Sequence, residues 1–447
     1  MILRSRLPIT LAALALAAAM APRAQASGFS LREQSPSALG SAFAGVSAGG
    51  TDISAMYWNP ASMALYAGNQ FFLGSSLVIP SAKIDGVRGT SAPMFPAHTV
   101  SGPSSHGNSV NPVPLPSIYG VWAASPDLRL GISINVPYGM VVSYKDDFAG
   151  RYHALRTDLK TMDVAGNVAY RIMPEWSVGA TVLGRMVKAE LSNAIDFGAI
   201  GASLGLPGYT PGSHDAVADL KGEKWVFGFK AGTIIQPVPE FRIGLAYSGK
   251  TNVDISNGDV KYFGVPAAFA AKFKDGGASV AVPLPSSLSA GFCWDISKTW
   301  TLQGEVAQTK WSDFKELRVK FASGQSDSVV DESWKNTVYT SLGIVYKYSD
   351  SLSLRAGIAT DQAPMDDYHR TPRVPDGDRT WFSVGSGYAW SKNLTLDLAL
   401  THILVKDGTI ALSSGSTPAD PNFYRGNLSG TFKNSVTILA GSLRYIF

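Results

Sequence analysis

The chain has 447 residues, of which 45% are hydrophobic and 16% charged, and its 38 basic residues nearly balance its 34 acidic ones. This balance carries no electrostatic footprint for binding nucleic acid, so we expect no nucleic-acid partner. The single cysteine, Cys293, excludes an internal disulfide.

Residues 1–26 have the pattern of a secretory signal peptide. Arg4 and Arg6 precede an apolar run from Ile9 to Met20, and Ala24-Gln25-Ala26 fits an A-x-A cleavage site. The apolar run is shorter than the roughly 20 residues that a membrane-spanning helix requires, so we predict export and cleavage rather than a membrane anchor.

Residues 27–68 are rich in glycine, alanine and serine and show no strand alternation. Ser35-Pro36 and Asp52 are typical helix starts, and Asn59-Pro60 interrupts the chain. Because this segment precedes the first strand, we predict a partly helical N-terminal hatch that plugs the lumen of a barrel.

The sequence pattern of residues 69–447 predicts a transmembrane β-barrel. Polar and apolar residues alternate along fourteen segments, joined by gaps that are short and long in turn. Short turns on one side and long loops on the other are typical of barrels of the bacterial outer membrane. We therefore predict an all-β, fourteen-stranded antiparallel transmembrane β-barrel, with strands at roughly 69–80, 114–124, 128–143, 154–172, 175–192, 222–236, 240–256, 280–295, 299–318, 331–348, 351–360, 379–391, 394–409 and 431–447.

Aromatic residues separate a membrane barrel from a soluble sandwich, which would also alternate. Trp176, Trp300, Tyr346 and Tyr388 lie at strand ends beside the short turns, as in the girdles of outer-membrane barrels. The last strand ends on Phe447, as is common in such proteins. We expect a monomer surrounded by outer-membrane lipid and lipopolysaccharide.

Several motifs in order resemble the FadL-type outer-membrane transporters of long-chain fatty acids and other hydrophobic compounds. They are Gly28-Phe29-Ser30-Leu31, Asn59-Pro60-Ala61, the G-x-x-W-x-F-G-x-x-x-G stretch from Gly222 to Gly232, Lys310–Phe314, Trp334–Thr337 and Pro375–Trp381. The resemblance covers essentially the whole mature chain. It implies capture at the outer loops, a pocket inside the barrel, and sideways exit beside a kink in the third strand.

The third predicted strand contains the residues for such a kink. Pro137 cannot donate to the sheet ladder, and Gly139 permits a bulge. In lipid an unpaired acceptor costs several kcal/mol unless the gap opens onto a protected cavity. With the resemblance, this predicts a lateral gate at Asn135, Pro137, Tyr138 and Gly139, while Asn59, Pro60 and Ala61 match the family's hatch motif; the alternative is a bulge that only bends the wall.

Alternation also selects candidate ligand-binding residues. Arg185, Lys335, Arg379 and Trp381 fall on the inward side of their strands, and a cation there would orient a carboxylate. The resemblance places Phe29 beside the pocket, and the motif position of Lys335 agrees with its inward side, whereas the family's pocket arginine falls on Met186, next to Arg185. The alternative for each cation is a solvated lumenal charge or an ion pair.

The sequence contains no phosphate-binding loop, nucleophile elbow or Cys/His metal spacing. We therefore expect no enzyme activity, cofactor or metal. The predicted function is passive, hatch-gated uptake of long-chain fatty acids with lateral exit near the third strand. The alternatives are an uptake channel for uncharged aromatic hydrocarbons and an open diffusion porin.

Overall fold

The computed structural model describes residues 28–447, so the predicted signal peptide, residues 1–26, lies outside the described residues. Fourteen antiparallel strands form one closed barrel, as the sequence predicts. The first strand pairs with the last, from Gln70 opposite Ile446 to Thr90 opposite Asn427, and this pairing closes the sheet.

Several strands are interrupted, and each is numbered here as one strand of the wall. The strands are β1 (Gln70–Thr90), β2 (Val113–Ala123), β3 (Leu128–Asn135 and Gly139–Ser143), β4 (Arg156–Met173), β5 (Trp176–Asp196), β6 (Asp215–Val238), β7 (Phe241–Ser248 and Thr251–Phe263), β8 (Gly276–Leu284 and Ser287–Asp295), β9 (Trp300–Thr309 and Glu316–Phe321), β10 (Ser328–Asp331 and Thr337–Lys347), β11 (Leu352–Asp361), β12 (Arg379–Ala389), β13 (Leu394–Val405 and Gly408–Leu412) and β14 (Asn427–Ile446).

Some strands continue well past their predicted ends on the long-loop side. Strand β1 has 21 residues and β6 has 24, whereas about 9–11 suffice to cross a bilayer. Beyond the lipid a strand has no apolar outer surface to maintain, so its sequence loses the alternation by which strands are recognised. The strands therefore extend into the outer loops, and the alternation of polar and apolar residues does not predict these extensions.

The outward face of the wall is apolar. Val182, Phe227 and Leu398 expose 67%, 84% and 66% of their surface, whereas alternate residues such as Asp397 and Thr401 are buried inside. Exposed apolar side chains of this kind form the lipid-facing belt of a membrane barrel. No helix among residues 28–447 is long and apolar enough to cross a membrane.

Residues 28–68, here called the hatch, fill the lumen with short helical turns that start where the sequence predicts. Helix α1 (Pro36–Leu39) begins after Ser35, whose hydroxyl accepts the Ala38 amide at 3.1 Å. A 3₁₀ turn (Ile53–Tyr57) begins after Asp52, whose carboxylate accepts the Ser54 amide. That turn ends at Tyr57, and Asn59 caps the next one (Pro60–Leu65), its side-chain oxygen accepting the Ala61 amide. Three further helical segments in the described residues are 3₁₀ turns at Val46–Ala48 and Trp311–Asp313 and, in an outer loop, α2 (Phe197–Ser203).

Glycines in the wall let the hatch backbone touch the sheet directly. A Cβ added at Gly244 would lie 1.8 Å from the Ser47 carbonyl oxygen, and one at Gly179 would lie 2.4 Å from the Ala61 nitrogen. Glu305 on β9 adds a polar tie, because its carboxylate accepts both the amide and the hydroxyl of Ser47. The middle and end of the hatch are thereby held against the wall.

Candidate functional site

Strand β3 is broken where the sequence predicts a kink. Its pairing with β2 ends at Ile134 opposite Ile118, and within the described chain the segment Gly139–Ser143 forms a ladder with β4 alone. Residues 113–117 of β2 likewise form a ladder with β1 alone. The wall therefore has a gap between β2 and the second half of β3.

The backbone groups at the gap find partners outside the sheet ladder. Gln34 of the hatch binds both the amide and the carbonyl of Val136, at 3.1 and 2.7 Å. The Thr161 hydroxyl binds both the amide and the carbonyl of Tyr138, at 2.9 and 2.7 Å. This satisfies the requirement that polar backbone groups at membrane depth be paired.

The start of the hatch completes the seal. The amide of Leu31 donates to the Pro137 carbonyl at 2.9 Å, and the amide of Gly139 donates to the Phe29 carbonyl at 3.0 Å. Ser30 stands opposite Tyr138 as in an antiparallel strand pair. Residues Phe29–Leu31 thus occupy the place of a neighbouring strand, inside the break.

The Phe29 ring fills an apolar pocket inside the barrel. It is 4% exposed, and its centroid lies 4.8 Å from that of Trp311 and 5.6 Å from that of Trp334. Phe314 and Tyr138 stand at its edge, both at 6.1 Å. Aliphatic residues complete the pocket, among them Leu159, Val187, Val253, Leu284 and Met365.

Arg379 ties the hatch to an outer loop. Its guanidinium bonds Asp376 at 3.0 Å and the Gly28 carbonyl at 3.3 Å, while the other oxygen of Asp376 accepts the Gly28 amide at 2.8 Å. Arg379 therefore contacts Gly28, the residue before Phe29, but already has an acid partner. Trp381 is buried against Phe43 of the hatch, in a different apolar cluster from that of Phe29.

Arg185 points inward, as predicted, and is fully paired. Its guanidinium forms two bonds of 2.7 Å with Asp163, which faces it across β4 and β5. It also lies over the Tyr138 ring, 4.9 Å from the centroid. Arg185 thus connects the wall to the gap, with its charge already neutralised.

Lys335 lies just before the second segment of β10, with its side chain 68% exposed and its ammonium 2.9 Å from Asp366. Burial works against ionisation of Asp366, but hydrogen bonds from Lys335 and His369 outweigh it and hold the pKa at about 2. Lys335 and Arg185 share neither a contact nor a cavity in the described chain, so the two predicted head-group cations are not brought together.

Asn59 fixes the Asn59-Pro60-Ala61 corner of the hatch to the wall. Its side-chain amide donates to the carbonyls of Ser47, Thr233 and Leu245, at 2.6, 3.1 and 3.3 Å. The last two lie on neighbouring strands, β6 and β7. The corner therefore anchors the hatch on the side of the short turns.

Lys230 is an inward cation that the sequence reasoning missed. It is 7% exposed, and its ammonium binds the Tyr57 carbonyl at 2.7 Å rather than a carboxylate. Its alternation with the outward Phe227 and Phe229 was a signal that could have found it. With Arg185 and Pro137 it lines a cavity of about 80 Å³ beside the gap. That volume is far below the roughly 300 Å³ of a small-molecule site, so the path is closed.

Two larger cavities flank the hatch. On the long-loop side, a groove of about 860 Å³ carries apolar residues including Ile200, Leu204, Phe269 and Phe273. Helix α2 supplies the first of them and packs on its loop neighbours through Phe197. On the short-turn side lies a vestibule of about 1290 Å³, where Arg242 binds the carbonyls of Ala48 and Gly50.

A closed barrel with an apolar outer belt, a buried hatch and an internal aromatic pocket defines an outer-membrane transporter. Residues 17–447 match the family described as outer membrane protein transport protein (OMPP1/FadL/TodX), and the chain belongs to this family. It is therefore an outer-membrane transporter of hydrophobic compounds and not an enzyme.

Individual relatives agree with this assignment. The chain is 28% identical over 420 residues to a long-chain fatty acid transport protein of Escherichia coli O6:H1, covering 88% of this chain and 91% of that one. A FadL homologue of Pseudomonas aeruginosa superposes with a TM-score of 0.84 at 22% identity, covering 94% of this chain and all of that one. The Pseudomonas putida toluene transporter TodX superposes with a TM-score of 0.68 at 17% identity, covering 94% and 100%.

Proposed function

We propose that this transporter takes up long-chain fatty acids passively, that the start of the hatch is its gate, and that ligand leaves sideways through the break in β3. The observation that carries the proposal is the double role of Phe29. Its ring fills the internal pocket, and its carbonyl accepts the Gly139 amide at the gap. A ligand that takes the place of the ring therefore pulls the seal away from the wall.

The pocket suits a long apolar chain. Burying methylenes is worth roughly 0.8 kcal/mol each, so a sixteen-carbon chain gains on the order of 10 kcal/mol before binding costs. The name of the Escherichia coli relative, a long-chain fatty acid transport protein, supports this ligand class. Lateral exit needs no energy source, since the chain passes from an apolar pocket into an apolar bilayer.

The rest of the hatch remains in place in this proposal. Asn59, Glu305 and the wall glycines hold residues 40–66 to the sheet, whereas residues 29–31 touch the wall at the break. Asn135 supports the closed state, because its amide donates to the Tyr119 hydroxyl at 2.7 Å and that hydroxyl donates to Gln34. A small movement at the chain start is then enough to open the path.

An uptake channel for uncharged aromatic hydrocarbons is the second candidate. Both Arg185 and Lys335 already bind acids, and the pocket around Phe29 is aromatic. An open porin fits less well, because the hatch is buried in the lumen. We further propose a monomer in outer-membrane lipid and lipopolysaccharide, since a closed sheet offers no free edge for pairing with a second copy.

Uptake of labelled oleate by cells that lack their own transporter tests the proposal. We expect the full chain to take up oleate. Deletion of residues 28–68 should instead give an open pore that conducts ions without selectivity. Folding is checked by the change in electrophoretic mobility on heating. A folded chain that takes up toluene but not oleate supports the second candidate, and ion conductance of the intact chain supports a porin.

A further inference from the structure

Two arginines in the outer loops are enclosed without an acid partner. Arg373 is 6% exposed and donates to the Arg156 carbonyl at 3.2 Å and the Asn193 side-chain oxygen at 3.1 Å. Arg425 is half-buried and donates to the Val329 carbonyl at 2.5 Å and the Ser328 hydroxyl at 2.8 Å. All of these partners are neutral, and neither arginine forms an ion pair with a described residue.

Nearby acids offset the charges of these arginines only in part: the charge of Asp420 favours ionised Arg425, but burial outweighs it. Burial lowers the pKa of both to about 10, with the charge of Arg425 contributing to the value for Arg373, and both stay protonated at pH 7. The charge of Glu332 favours ionised Arg373, but burial raises the pKa of Glu332 to about 8, which weakens that attraction at neutral pH. An enclosed cation is costly unless it is paired, and among residues 28–447 no acid forms an ion pair with either arginine.

The two arginines line one cavity, of about 180 Å³. Three of its lining residues carry a buried side-chain atom without a hydrogen-bond partner, namely Nε of Arg373, Oγ1 of Thr371 and Nε2 of His153, and each residue is at most 7% exposed. Two acids also border it: Asp331 has a side chain 59% exposed, and Asp420 accepts the Asn422 amide at 2.7 Å. The cavity has room for a head group of several heavy atoms.

The cavity lies between the outer groove and the internal pocket. Arg425 also lines the 860 Å³ groove, so the two spaces adjoin at its side chain. On the other side, Val374 belongs to the apolar cluster of Phe29, and Val330 packs against that cluster while lining the cavity. A chain lying in the groove can reach the arginines with one end.

We propose that Arg373, Arg425 and Thr371 form an oxyanion site that binds the carboxylate of a fatty acid held in the outer groove. This inference rests on the proposed function for the identity of the ligand. Arginine donors and a hydroxyl match the acceptor oxygens of a carboxylate, and charge-assisted bonds of this kind are roughly twice as strong as neutral ones. The site would select acids at the outer groove. The internal pocket around Phe29 then needs no unpaired cation to recognise a carboxylate.

Binding of laurate and of dodecanol to the purified full chain, in a non-ionic detergent, tests the site. We expect laurate to bind more tightly, and Arg373→Gln and Arg425→Gln each to weaken laurate about tenfold while leaving dodecanol unchanged. Arg373→Lys, which keeps the charge, should retain part of the preference. Arg88→Gln, at an exposed arginine near the outer end of β1, removes the same charge elsewhere and should change neither ligand.

Some results would overturn the site. They are equal binding of laurate and dodecanol by the wild type, or an undiminished preference in folded Gln variants. Competition with inorganic phosphate separates the sources of the oxyanion: phosphate binding without laurate preference assigns the site to a phosphorylated head group instead. If cells take up no oleate while the purified chain still prefers laurate, the proposed function fails and the site stands; uptake without that preference shows the reverse.

Discussion

The amide of Leu31 donates to the carbonyl oxygen of Pro137 across 2.9 Å, and this bond joins the start of the hatch to the broken strand of the wall. Pro137 has no amide of its own, so the β-ladder cannot continue through it. The hatch supplies the partner that the neighbouring strand lacks. The start of the hatch thereby closes the break in the wall.

A disulfide across this seal should abolish transport. Ser30 and Tyr138 form a pair flanked by the bonds Leu31–Pro137 and Gly139–Phe29, the arrangement in which Cα atoms approach to about 4.5 Å. That spacing permits a disulfide. We expect Ser30→Cys/Tyr138→Cys, in a Cys293→Ala background, to block oleate uptake when oxidised and to recover it on reduction, as measured in whole cells.

A second disulfide provides the matched control. The hydroxyls of Ser47 and Ser289 lie 2.7 Å apart, between the middle of the hatch and β8. Ser47→Cys/Ser289→Cys in the same background should leave uptake intact when oxidised. Loss of uptake with this lock would show that the hatch moves as a whole, and uptake through the first lock would exclude the Phe29–Leu31 segment as the gate.

Gly244→Ala should disturb the seat of the hatch. The new methyl group would lie 1.8 Å from the Ser47 carbonyl oxygen and 2.8 Å from the Ala48 Cα, and because these atoms belong to the backbone they cannot move aside cheaply. We expect a displaced hatch and ion conductance in planar bilayers. Gly166→Ala is the control, because a methyl group there meets no atom within 4 Å. This variant should show no ion conductance.

Phe29→Ala should loosen the seal while the rest of the hatch stays in place. The ring loses contact with Trp311 and Trp334, and truncating a buried phenylalanine costs about 3–5 kcal/mol. We expect faster hydrogen exchange at the Leu31 and Gly139 amides. The Ser47 amide, which is bound to Glu305, should be unaffected. Unchanged hydrogen exchange at the Gly139 amide would show that the Phe29 ring does not stabilise the seal at the gap.

The Arg185–Asp163 pair tests the predicted carboxylate clamp. Arg185→Gln leaves a buried acid unpaired and should destabilise the barrel by about 3–5 kcal/mol in denaturant unfolding. The double variant Arg185→Gln/Asp163→Asn removes both charges and should recover most of that loss. If the folded double variant combined with Lys335→Ala still takes up oleate, neither cation holds the head group; if it does not, the clamp is supported.

The sequence by itself determined the features that repeat within a single strand or turn. The alternation of Leu394, Leu396 and Leu398 with polar residues marked the lipid-facing side, and turn lengths gave the orientation of the loops. Ser35 and Asp52 marked helical starts in the hatch because capping depends on residues two or three positions away. Pro137 marked the break, since its missing amide is a local property.

Only the tertiary structure decided which groups meet. Arg185 binds Asp163 because of the register between β4 and β5. Gly244 leaves room for the backbone of Ser47, a hatch residue nearly 200 positions earlier in the chain. Arg373 and Arg425 lie in separate loops with no alternation to place them, yet they share one cavity. Alternation indicates which side of the wall a residue faces. Which residues pair depends on strand register and on how the hatch packs in the lumen, and no short stretch of sequence determines either.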